Sequence, residues 1–139
     1  MNEEKKLALS FIQDIISRLS QKSFLVKGWS LSIIAVLGIM LDKDKFYESL
    51  ALIICISIIV FWFLNAFYLH TERLYRILYA QKISLNDDDK TMLSLDLSKL
   101  KKDTSIKKKG IFNAFFSRTV WTFHLTTLLG ALSLLIFHK

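Results

Sequence analysis

The sequence predicts an all-α membrane protein, and three observations predict it. Ser49–Thr71 is a stretch of 23 residues without a charged side chain, bounded by Glu48 and Glu72. Thr119–His138 is a second uncharged stretch, 20 residues long with its histidines neutral. The chain of 139 residues has no Pro and four Gly, so little in it breaks a helix. A helix rises about 1.5 Å per residue, so about twenty residues cross the ~30 Å hydrocarbon core of a bilayer. A soluble core helix of such length keeps a polar stripe, and Leu50–Leu69 is apolar all round.

The first element expected is an amphipathic helix over residues 1–23. Ala8, Phe11, Ile12, Ile15, Ile16 and Leu19 gather on one side of a helical wheel, with Ser10, Gln13, Asp14, Ser17 and Gln21 opposite. Glu3 and Glu4 favour its N-terminus. Such a helix either lies in the cytoplasmic interface or packs on sister helices of an oligomer.

A span over Phe24–Leu41 follows. Only 14 uncharged residues separate Lys27 from Asp42, but starting at Ser23 gives 19, with Lys27 one turn inside. From there Lys27 snorkels its ammonium to the headgroups, beside Trp29 in the aromatic belt. The second span, counted with the first in a unit over 24–79, continues past the membrane through Glu72–Tyr79. Arg73 and Arg76 there lie at headgroup level, and Tyr75 and Tyr79 suit the boundary.

The loop over 80–110 begins with Asn86-Asp87-Asp88-Asp89-Lys90, a solvated helix stop whose spacing matches no calcium loop. Residues 91–98 alternate, with Leu93, Leu95 and Leu97 between Ser94, Asp96 and Ser98. That is a strand pattern, and a lone strand needs a partner, such as the same segment of another subunit. A basic run containing Lys107, Lys108 and Lys109 ends at Gly110, expected to break the helix before a third span over 111–138.

Sixteen Lys and Arg fall in the N-terminal segment and the Arg73–Arg118 loop, against three elsewhere. The positive-inside rule therefore places the N-terminus and the long loop in the cytoplasm and the C-terminus outside. The absence of a small-residue cleavage site after the first apolar run makes that span an uncleaved anchor. The same rule explains the net charge of +7 without nucleic acid, and the basic run lacks the interleaved aromatics that stack bases. Lipid headgroups or a protein partner are the expected contacts of Arg73, Arg76, Lys107, Lys108 and Lys109.

Chemistry-bearing motifs are scarce. The chain has no Gly-rich phosphate loop, no Gly-x-Ser-x-Gly, no His-Glu-x-x-His and a single Cys55, so neither an enzyme nor a cofactor or metal is expected. His70 and Glu72 sit on different faces of a helix, a poor metal pair. The suggestive residues are polar and small ones inside the spans. Thr119, Thr122, Thr126 and Ser133, with Gly130, form a hydroxylated seam on the third. Ala51, Cys55, Asn65 and Ala66, with Trp62, share a side of the second, and Gly28, Ser32 and Ala35 a side of the first. Small residues admit close helix approach, and hydroxyls and amides bond between helices. Asn65 and His124 are the foremost intramembrane polar groups, for helix packing or for lining a pore.

Lys27-Gly28-Trp29-Ser30, Phe61–Leu69, Glu72–Tyr79 and Phe116-Ser117-Arg118-Thr119 together resemble a family of small three-span bacterial inner-membrane proteins. The resemblance covers most of the chain and brings no catalytic motif. Its architecture is similar to that of compact membrane effectors of anti-phage defence systems, which oligomerise and compromise the inner membrane. It therefore implies a non-enzymatic homo-oligomeric effector in the bacterial inner membrane. The alternative is a passive anchor or immunity-type subunit recruiting a partner through the cytoplasmic loop. The family often has an acid where Asn65 stands.

Overall fold

The computed structural model describes residues 3–40, 47–86, 91–98, 100 and 104–137. Four helices organise them: α1 over Glu3–Met40, α2 over Tyr47–Ser84, α3 over Thr104–Phe115 and α4 over Arg118–Phe137. Among the described residues there is no strand.

α1 corrects the expected division at residue 23. The N-terminal amphipathic segment and the apolar segment form one helix of 38 residues. Glu3 and Glu4 lie in its first turn, and no helix-breaking residue interrupts it before Gly28. α2 is also 38 residues long and runs five residues beyond Tyr79. Each helix is about 57 Å long, well over the thickness of a bilayer core.

α1 and α2 pair antiparallel along much of their length. Lys5 Nζ donates to the Leu85 carbonyl at 2.7 Å, Gln13 Nε2 meets the Tyr79 hydroxyl at 3.4 Å, and Ser23 donates to Asn65. At the far end Ile34 and Leu37 pack against Ile54 and Ile58. The amphipathic half of α1 thus finds its partner on α2 of the same chain. Ala8, Leu9 and Ile12 are buried, while Phe11 of the same stripe stays 47% exposed.

Two apolar cores result. One joins Ile12, Leu74, Leu78, Leu97 and Leu100, beyond the charged end of the second apolar stretch. The other joins Ile54, Ile58 and Ala131, with Leu50 and Leu128 against it.

The expected strand over 91–98 is replaced by a turn and a helix start. Ser94 N donates to the Thr91 carbonyl at 3.0 Å. The Asp96 carboxylate accepts from Ser98 N at 2.8 Å and from the Ser98 hydroxyl at 2.5 Å, the kind of local bond that begins a helix. Leu97 and Leu100 both enter the first core, a helical spacing, whereas Leu93 is half exposed. A strand would have needed a second backbone to pair with. The helical start is capped by the Asp96–Ser98 bonds and still buries Leu97 and Leu100.

The boundary of the last helix also moves. Gly110 lies inside α3, and the break comes after Phe115. Gly110 is there for space: a Cβ on it would collide with the His70 imidazole, whose Nδ1 lies 2.8 Å from that position. α3 ends with Phe116 N bonded to the Phe112 carbonyl at 3.0 Å and Ser117 N to that of Ala114 at 3.2 Å. The Ser117 carbonyl then accepts from Val120 N and Trp121 N at 2.9 and 2.8 Å, making Ser117 the cap of α4. α4 packs on α2 through Ala131. The Leu41–Ser49 connector is described only from Tyr47, and the Asp87–Asp89 turn and His138 lie outside the described residues.

Among the described residues, α1 and α2 are long and apolar enough to cross a membrane. Their most apolar stretches are only 6% and 22% buried. Phe24, Trp29, Val36, Ile39, Leu52, Ile59 and Phe63 are all at least half exposed. Exposed apolar surface on this scale marks a membrane-facing or partner-facing surface.

Candidate functional site

Between the two apolar cores, four helices meet at a buried polar junction. Asn65 is its centre and is wholly buried. It sits on α2 about 10 Å of helix before Glu72. An amide in apolar surroundings costs free energy unless both of its ends find partners. The Ser23 hydroxyl of α1 donates to Asn65 Oδ1. Asn65 Nδ2 lies 3.4 Å from His124 Nε2 of α4, a long hydrogen bond in which the imidazole nitrogen accepts. His124 is itself 1% exposed. One side chain therefore ties α2 to the helix on either side of it.

Trp62, one turn before Asn65, fastens the fourth element. Its ring stacks on Phe115 with centroids 4.6 Å apart, and its Nε1 donates to the Phe115 carbonyl at 3.1 Å. That carbonyl belongs to the last turn of α3, where no amide four residues on completes the helix pattern. Trp62 also stacks on His124 at 5.9 Å, and Phe123 meets the same imidazole edge-on at 5.1 Å. Lys27 Nζ stands 5.7 Å from the centre of the Phe123 ring, within reach of a cation–π attraction. Arg73 NH2 donates to the Ser117 hydroxyl at 3.3 Å, bracing α2 against the α3–α4 bend. No buried side-chain nitrogen or oxygen lacks a partner among the described residues.

The junction contains a hydroxyl, an amide and an imidazole, but not in the order of a nucleophile and its base. Asn65 stands between Ser23 and His124 and bonds to both, so the hydroxyl has no base beside it. Among the described residues no group of three His, Cys, Asp or Glu could hold a metal ion. What the arrangement does is clamp three long helices at one level.

The sequence-predicted residues divide into two sets. Asn65 and His124 come together inside the chain. Thr122, Thr126, Gly130 and Ser133 of α4 and Ala35 of α1 face outward. Their hydroxyls bond to their own helix: Thr122 to the Arg118 carbonyl, Thr126 to those of Thr122 and Phe123, Ser133 to that of Gly130. A Cβ added to Gly28, Gly38 or Gly130 would meet nothing within 4 Å, so these glycines serve no contact within the chain. Arg76 binds the Glu72 carboxylate through Nε and NH2 at 2.9 and 2.8 Å. Leu95 is half-buried beside Leu97, the buried one of the three alternating leucines. The backbone of Lys107, Lys108 and Lys109 belongs to α3, and their side chains lie outside the described residues.

Sequence reasoning passed over Ser23, Phe115 and Ser117. Ser23 had a signal: with Lys27, Ser30 and Ile34 it forms an inward stripe at helical spacing. Ser117 had one too, a capping residue type just before the uncharged run; Phe115 had none, because its role depends on where α3 bends. Comparisons with protein families, curated proteins and solved structures find no match for this chain.

Proposed function

We propose that this chain is a three-span bacterial inner-membrane protein that assembles with copies of itself and acts without catalysis, as an effector that opens or disrupts the membrane. α4 is the third span, with the N-terminus and the loop after α2 cytoplasmic. The register of the helices supports this topology. The contacts Lys27–Phe123 and Arg73–Ser117 bring the basic residues of the three apolar segments toward one end of the bundle, with Arg73 at the level of Ser117 and Lys27 about 9 Å deeper, at that of Phe123. Lys27, Arg73 and Arg118 then share one membrane face, as the positive-inside rule requires. The first core lies on the cytoplasmic side of that level and forms a small helical head.

The observation that carries the effector reading is the division of α4. Val120, His124 and Ala131 are buried, while Thr119, Thr122, Thr126, Gly130 and Ser133 make an outward stripe. The stripe is small enough for close approach of a sister helix, and its self-bonded hydroxyls can exchange backbone partners for neighbours or water. Gly28, Ser32 and Ala35 give α1 a similar outward strip.

Dye release from liposomes carrying wild type, Thr126→Leu or Asn65→Leu tests the reading. Wild type leaks; Thr126→Leu leaks less because it fills the outward stripe; Asn65→Leu changes leakage by loosening the clamp. A wild type that never leaks abandons the effector for the second reading, an anchor that recruits a protein. One feature favours that alternative: Leu7 and Phe11, one turn apart on the head, are each nearly half exposed. A membrane anchor tolerates Thr126→Leu and loses its partner when Phe11 is replaced by Ser.

A further inference from the structure

A groove of about 1070 Å³ runs between the polar face of α1 and the cytoplasmic part of α2. Its composition changes along its length. At the end toward the head it is lined by Asp14 and Ser17 on one wall and Arg76 and Tyr79 on the other. Past Ser20 it continues to Phe24 and Leu25, which are 76% and 55% exposed. The polar end lies beyond Glu72, where the apolar stretch of α2 stops, and the apolar end lies where that of α1 begins.

We propose that this groove binds one zwitterionic aminophospholipid, with the headgroup at Asp14 and Arg76 and an acyl chain along Phe24 and Leu25. The inference rests on the membrane reading above. Three features select that ligand. The groove is polar at headgroup level and apolar below it, so it suits an amphiphile and not a free phosphate ester. Arg76 spends part of its guanidinium on Glu72 and keeps further N–H donors for a phosphate oxygen. Asp14 makes no ion pair among the described residues, so the opposite wall offers a carboxylate to an ammonium. One cation facing one anion matches a headgroup carrying both charges. Phosphatidylglycerol would place the same phosphate at Arg76 but offer Asp14 neutral hydroxyls in place of an ammonium.

The full chain, purified in mild detergent, is titrated with phosphatidylethanolamine or phosphatidylglycerol and weighed intact by native mass spectrometry. One phosphatidylethanolamine is retained per chain, about tenfold more tightly than phosphatidylglycerol. Asp14→Asn erases the preference, and Arg76→Gln weakens retention of both lipids. Ser20→Leu, which touches neither charge, blocks retention by filling the groove, and Arg18→Gln on the exposed face of the same helix leaves it unchanged. Helix content by circular dichroism verifies that each variant is folded. Glycerophosphoethanolamine, the headgroup without chains, binds far more weakly; equal binding would reassign the groove to soluble phosphate esters. Equal retention of both lipids, or equal loss in Arg18→Gln, overturns the lipid site and leaves the membrane reading standing. A chain that stays dispersed in buffer without detergent overturns both.

Discussion

The clamp at Asn65 makes a quantitative prediction. Interhelical side-chain hydrogen bonds in membrane proteins contribute about 0.6 kcal/mol each and seldom above about 1.7. Asn65 makes two, to helices on either side. Removing it strands its partners unequally. Ser23 can turn its hydroxyl to a carbonyl of its own helix, as Ser30, Ser32 and Ser57 do. His124 is 1% exposed and has no such recourse. Asn65→Ala should therefore destabilise the fold by roughly 2 to 3 kcal/mol, the two bonds plus the stranded imidazole. A double-mutant cycle separates these terms. The Ser23→Ala/Asn65→Ala pair should show a coupling of about 0.6 to 1.7 kcal/mol, and Asn65→Ala/His124→Ala a smaller one, because its 3.4 Å contact is long. The assay is reversible unfolding in mixed micelles of rising dodecyl sulfate content, followed by far-ultraviolet circular dichroism. Ser32→Ala is the control: its hydroxyl is exposed and bonded within α1, so it should change stability by under about 0.5 kcal/mol. Couplings of zero for both pairs, or an Asn65→Ala no worse than Ser32→Ala, would refute the clamp.

Three more predictions follow from the packing. Gly110→Ala drives a methyl into the His70 ring and should destabilise the chain by about 1 to 3 kcal/mol in the same unfolding assay, with much of the loss recovered when His70 is also replaced by Ala. Trp62→Phe keeps the stacking but strands the Phe115 carbonyl, at a cost of about 1 kcal/mol; a Phe variant as stable as wild type would mean that the bond contributes nothing. Single cysteines introduced after Cys55→Ala test the topology: one at position 88 should react with an impermeant maleimide only after the inner membrane is opened, and one at position 44 without opening it.

The helical class and the two most apolar stretches were legible in the sequence because they depend on composition and length alone. A long uncharged run without Pro has few alternatives to helix, and Leu50–Leu69 meets that condition unaided. The inward role of Asn65 and His124 was half legible: a polar group among apolar residues must find a partner, but sequence does not say whether the partner is in the same chain. The tertiary structure decided that the two meet each other and Ser23, and that Thr122, Thr126, Gly130 and Ser133 turn away. It also decided the three places where local pattern misled. The amphipathic half of α1 packs on α2, because both helices outrun their apolar stretches and lie side by side. The alternating leucines start a helix, because Leu97 and Leu100 reach the first core by a helical step that no strand partner could replace. Gly110 continues α3, because what it provides is room for a neighbouring ring and not a break in the backbone. Periodicity along one segment records which face is apolar, and only the packed neighbours determine what that face meets.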